Sequence, residues 1–160
     1  MQESLVKNTK EFILFFGALI FFVVATFFSL YEGSRLDNIP WEWPYSAIFT
    51  NWLSGGAETA TDILTIDYLV YAAKFAPLFP IIMFVAAFVL LLQLAAWIFK
   101  RSKIALSLFH IACAAGLFVM STLLMSSPTR GLELFSRLFF IMGFVLVISG
   151  VTSLIKAKKR

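Results

Sequence analysis

"FVAAFVLLLQLAAWIFKRSKIALSLFHIACAAGLFVM" occupies residues 84–120, and in it two apolar runs are separated by the four residues KRSK at 100–103. Each run approaches the ~20 residues that a helix needs to cross a ~30 Å hydrocarbon core. A link of four residues allows no crossover, so the helices on either side of it are expected to be antiparallel neighbours. The same reading extends both ways. Upstream, "FILFFGALIFFVVATFFSL" at 12–30 holds nineteen residues without a charge. Pro77 and Pro80 stand at the start of the second run, where a missing N–H and a ring clash begin or kink a helix. Downstream, Ser127 and Pro128 have the form of an N-cap and first helical residue, and no charge interrupts 138–155. The spacing predicts spans at about 12–31, 75–99, 104–126 and 135–155. The expected fold is all-α: an antiparallel four-helix transmembrane bundle forming a single domain over 1–160.

Composition agrees with this class. Of 160 residues, 61% are hydrophobic and only 14% charged, and the mean hydropathy is +0.91, which excludes a water-soluble fold. The net charge of +4 does not mark a nucleic-acid surface, because the basic residues sit at helix ends instead of forming a stripe. Nine of the thirteen Lys and Arg fall in the N-terminal tail (Lys7, Lys10), the KRSK turn and the terminal "KAKKR"; Arg35, Lys74, Arg130 and Arg137 fall on the other side. By the positive-inside rule both termini are expected in the cytoplasm of a cell (plasma) membrane, with the connection at about 32–68 outside. Lys7 and Lys10 precede a long run without a clear cleavage site, the pattern of a retained signal anchor.

The outer connection carries three of the four tryptophans, Trp41, Trp43 and Trp52. Pro44 opens and Gly55 with Gly56 closes a candidate helix over 44–54. Its apolar residues Tyr45, Ile48, Phe49, Trp52 and Leu53 fall on one face, opposite Ser46, Thr50, Asn51 and Ser54. This predicts an interfacial amphipathic helix anchored by Trp41 and Trp43. Two roles follow: an aromatic belt fixing depth and tilt in the lipid bilayer, or a surface of Trp41, Trp43, Tyr45, Phe49 and Trp52 for a partner or ligand. The run "YEGSRLDNIPWEWPYSAIF" at 31–49 resembles small uncharacterised multi-pass membrane proteins of Bacillus-type bacteria, grouped as a domain family of unknown function. The resemblance implies a bacterial plasma-membrane location and carries over no catalytic residue.

Within the apolar runs, Ser107, His110 and Cys113 share a helix face. One histidine and one cysteine in the whole chain fall short of the four ligands of a closed metal site and rule out an internal disulfide. No metal and no cofactor is expected; haem held by His110 and a methionine is the remaining route. A simpler use for His110 is a hydrogen bond to Gln93, which the tight hairpin places at the same depth. Outside, Glu58 and Asp62 at i, i+4, with Asp67 beyond, read as helix-start acids in preference to a cation site. Arg130 and Arg137 bracket Glu133 for local pairing. Ser136, Gly143 and Gly150 repeat every seven residues, and Ala112 with Gly116 offers a second small stripe; both suit close helix packing, self-association or contact with another membrane protein. Nucleotide, zinc-protease and serine-hydrolase motifs are absent. The reading is a non-enzymatic accessory, assembly or envelope protein acting through protein association. A small transporter or channel subunit lined by Gln93 and His110 is the alternative, and a haem- or quinone-linked membrane protein the third.

Overall fold

A computed structural model describes the backbone of residues 2–158 and the side chains of 9–155 and 158. Lys159 and Arg160 of the terminal basic run, and the side chains of Lys7 and Lys156, lie outside the described residues. Among the described residues seven α-helices follow in order: α1 (Gln2–Gly33), α2 (Trp43–Ser46), α3 (Ile48–Ser54), α4 (Thr65–Phe75), α5 (Leu78–Ile98), α6 (Lys103–Met125) and α7 (Arg130–Lys158). Short 3-10 turns occupy Ser34–Asn38, Pro40–Glu42 and Ala60–Asp62, and the described residues include no strand. Helices α1, α5, α6 and α7 are long and apolar enough to cross a membrane. The chain divides into two compact units, residues 1–89 and 90–160.

In the first unit, α1 buries small residues, Ala25, Ser29 and Gly33, at intervals of four, and leaves large ones such as Phe12, Phe21 and Phe27 exposed. Small residues let backbones approach. At Gly33 the approach is extreme, because an added Cβ would lie 2.7 Å from Tyr68 Cβ on α4 and nearer still to the Tyr68 carbonyl. Helix α4 ends where Pro77 dictates: the residue before a proline is pushed out of the helical region, and Ala76 has φ −135° and ψ 63°. Pro80 then sits in the first turn of α5, where its missing N–H breaks no helical bond. Phe28 and Phe79 stack at 4.7 Å between ring centroids.

The segment between α1 and α4, together with α4, forms a cap with its own small core of Leu36, Ala47, Ile63 and Tyr71, against which Ile39, Trp43 and Tyr68 pack. The single helix expected over 44–54 is instead broken at Ala47, with φ −82° and ψ 55°, into α2 and α3. The C-terminal signal holds, since Gly55 has the left-handed φ of 78° that terminates α3.

In the second unit α6 and α7 pack along their length. Helix α6 buries Ser107, Ala114, Leu117 and Ser121; α7 buries Phe135, Ser136, Phe139, Gly143, Leu146 and Gly150. Ser107 Oγ donates to the Gly150 carbonyl, and Ser121 and Ser136 each donate to the other's carbonyl at 2.8 Å. The pairings descend on α7 as they ascend on α6. A Cβ at Gly143 would touch the Phe118 ring at 3.0 Å, and one at Gly150 would reach Ile111 Cγ1 at 2.9 Å. The Ser136, Gly143, Gly150 stripe is thus occupied by α6 of the same chain. Ala112 and Gly116 are exposed and unused. Ser102 Oγ caps α6 by accepting from Ala105 N–H at 3.2 Å, while α7 begins at Arg130, two residues past Pro128.

Candidate functional site

The cap inverts the arrangement of a soluble amphipathic helix. Ser46, Thr50 and Asp67 are fully buried (0% exposed), whereas Trp52 is 80% exposed, Trp41 73% and Tyr45 69%. Ile48, Phe49 and Leu53 are exposed beside them. A helix on a water-soluble core turns its apolar stripe inward; here Ser46 and Thr50 face in, Asn51 is half-buried, and only Ser54 of the polar stripe is exposed.

Around Asp67 and Lys74 the buried polar groups satisfy one another, whereas Asp37 Oδ1, and Ser29 Oγ and Glu32 Oε2 at the end of α1, are buried without a hydrogen-bond partner among the described residues. Asp67, in the first turn of α4, accepts the N–H of Phe49 at 2.8 Å and of Thr50 at 2.9 Å, and Thr50 Oγ1 donates to it at 2.7 Å. In an unbroken helix those two N–H groups would bond to the carbonyls of Tyr45 and Ser46. The carboxylate takes them instead, which is the physical reason for the break at Ala47. Asp67 acts as an N-cap supplied from another helix, in a place where Ala47 has no side-chain acceptor of its own. Thr50 Oγ1 in turn accepts the N–H of Leu64 at 2.9 Å, tying the approach to α4 into the same cluster.

A second cluster centres on Lys74. Its Nζ lies 2.5 Å from Glu42 Oε1, with 10% and 17% of the two side chains exposed, and donates to Ser46 Oγ at 2.7 Å and to the Tyr45 carbonyl at 3.3 Å. Ser46 Oγ donates to Glu42 at 2.7 Å. A buried charge is tolerated when it is paired and hydrogen-bonded. Burial of Glu42 raises its pKa, but hydrogen bonds from Lys74 and Ser46, and the Lys74 charge, outweigh it and hold the carboxyl below its usual 4.5. In a third contact Tyr68 OH donates to Asp37 at 3.0 Å; burial first, then that bond and the Asp37 charge, push the phenol up to about 12.

Of the expected surface, Trp41, Tyr45, Phe49 and Trp52 lie on the outer skin. Trp43 does not: it packs on the cap core, and its indole N–H donates to the Leu36 carbonyl at 2.8 Å. The acids at i, i+4 are not a pair either. Asp62 Oδ2 accepts the N–H groups of Glu58 and Thr59 and the Thr59 hydroxyl, and the hydrogen bonds from Thr59 and then Glu58 lower its pKa. The Gln93 to His110 hydrogen bond is not formed. His110 Nδ1 lies 3.2 Å from Ser149 Oγ on α7, because α6 turns toward α7, and both amide atoms of Gln93 are buried without a partner among the described residues. No three of His, Cys, Asp and Glu gather as a metal-holding group among the described residues.

The buried clusters escaped the sequence reading, although a signal existed. Ser46 and Thr50 at i, i+4 form a polar stripe, and Asp67 and Lys74 at i, i+7 form another of opposite charges. Two such stripes can face each other across paired helices.

A family described as a domain of unknown function, DUF4306, matches residues 12–99, more than half of the chain. The chain belongs to the DUF4306 family. The DUF4306 match takes in the apolar length of α1, the entire cap and α5, and stops short of α6. The stretch at 31–49 lies inside it. No curated protein and no solved structure matches the chain significantly.

Proposed function

We propose that this DUF4306 protein is a multi-pass protein of a bacterial plasma membrane, its four long helices an antiparallel bundle with both termini in the cytoplasm, and that it works by associating with another membrane protein rather than by catalysis. The observation that carries this reading is the inverted cap. Trp and Tyr concentrate at the headgroup layer, and a face built from Trp41, Tyr45, Ile48, Trp52 and Leu53 demands apolar company at that depth. The charged groups Asp67, Lys74 and Glu42 inside the cap are partnered by their own chain. An exposed aromatic surface over charged groups that pair internally suits docking, where aromatic anchors contribute most of the binding energy.

A photo-crosslinking amino acid placed at Trp52 or Tyr45 in native membranes tests the reading. The expected result is a discrete protein adduct common to both positions. Adducts with lipid alone at both positions would discard it and leave the face as a belt. A transport role has one observation in its favour, the unpartnered Gln93 amide in α5, because polar groups at membrane depth tend to line pathways. Ion flux in proteoliposomes that Gln93→Leu abolishes would support it.

A further inference from the structure

Beside the turn between α6 and α7, a groove of about 630 Å³ runs from Met125, Ser127 and Glu133 past Arg137 to Phe140 and Ile141. The charged pair lies in the first turns of α7, and Phe140 and Ile141 follow one turn further along the same helix. The groove's floor is the Ser121–Ser136 crossing, where each hydroxyl already donates to the other's carbonyl, so the floor needs no further partner. The charged pair is Arg137 with Glu133 at 2.5 Å, with 70% and 51% of their side chains exposed. An ion pair so exposed is weak, and its two members can exchange each other for charges of a ligand. Among the described residues one guanidinium nitrogen of Arg137 is engaged, by Glu133; the remaining donors keep the fork that suits a phosphate. Glu133 presents the opposite charge alongside.

We propose that this groove seats one phospholipid whose headgroup carries both a phosphate and an ammonium: the phosphate on Arg137, the ammonium on Glu133, and one acyl chain along Phe140 and Ile141. The site rests on the membrane reading above, which puts this end of α7 at the outer boundary of the hydrocarbon, where long basic side chains reach headgroups.

Native mass spectrometry of the full chain in detergent tests it, with phosphatidylethanolamine, phosphatidylglycerol and diacylglycerol at equal concentration. The wild type is expected to carry phosphatidylethanolamine severalfold more than phosphatidylglycerol, and little diacylglycerol. Glu133→Gln should equalise the two phospholipids, Arg137→Gln should deplete both severalfold, and Arg137→Lys should recover part of the loss. Adducts unchanged by Arg137→Gln, or diacylglycerol bound as well as the phospholipids, would overturn the site. Displacement by millimolar inorganic phosphate would reassign it to a free anion and likewise overturn the lipid. Sidedness of the chain is measured separately by cysteine labelling, so an inverted topology and an empty groove give different signatures.

Discussion

Asp67 is the residue on which the cap turns. It is fully buried and bonds to two backbone N–H groups and one hydroxyl of α3. Asp67→Ala leaves those donors buried and unpaired, at a cost of about 3 kcal/mol by the usual penalty for orphaned donors. Amide exchange at residues 48–54 should rise accordingly, and Asp67→Asn, which keeps one acceptor oxygen, should show a smaller rise. An unchanged exchange pattern in the alanine variant would mean that α3 is held by something else. The cap should also have a defined pH window. Glu42 has a folded pKa below 4.5, so its contribution is complete above that value and is lost as pH falls through the lower folded one. Tyr68 is raised from 10.0 to about 12, so its contribution is complete below 10 and is lost as pH rises toward 12. Protection factors in the cap, with the intrinsic pH dependence of amide exchange divided out, should stay flat between these limits and fall outside them; Glu42→Gln should shrink the acid limb to the part supplied by Asp62, whose pKa is also lowered, and Tyr68→Phe should remove the alkaline one. Little of this was legible in the sequence. Asp67 reads as an acid at a helix start, which it is, but its partners lie 17 and 18 residues upstream, and only the fold brings them there.

At the scale of elements, helix positions follow from apolar length, and the helix ends from proline and glycine. Neighbour choice follows from something finer. The KRSK turn makes α5 and α6 adjacent in sequence, yet His110 bonds to α7. Ser107, Ala114 and Ser121 repeat every seven residues on α6, matching Ser136, Gly143 and Gly150 on α7, so the pairing is written in both helices. The broken helix at Ala47 was illegible for the opposite reason: local periodicity favours continuity, and a remote carboxylate overrides it. Glycine substitutions separate close packing from mere presence in a helix. Gly33→Ala drives a methyl into the Tyr68 backbone and should destabilise by about 1–3 kcal/mol, the range for overpacking. Gly150→Ala, meeting Ile111 and the Ser107 carbonyl, should cost less, as a side chain can shift. Gly17→Ala meets nothing within 4 Å and should be neutral or slightly favourable through helix propensity. Thermal unfolding of the three variants in one detergent gives the order; equal losses would contradict close packing at Gly33.

For the whole molecule the sharpest expectation is sidedness. In a Cys113→Ser background, Ser54→Cys should react with a membrane-impermeant maleimide on intact cells, and Arg101→Cys only after lysis. The reverse pattern would invert the topology. Ser54 is preferred to its neighbours Gly55 and Gly56, whose φ values of 78° and 138° disfavour a side chain. The cap also carries a constraint in time. Seven residues of helix are too few to persist alone in water, and the acceptor that holds the start of α3 is supplied by α4. During synthesis, then, residues 48–54 leave the ribosome before their cap exists, and they can become helical only once residue 67 has followed. The outer segment is completed backwards, its earlier part waiting on its later one. A nascent chain arrested between the two would present the tryptophans on an unfolded loop.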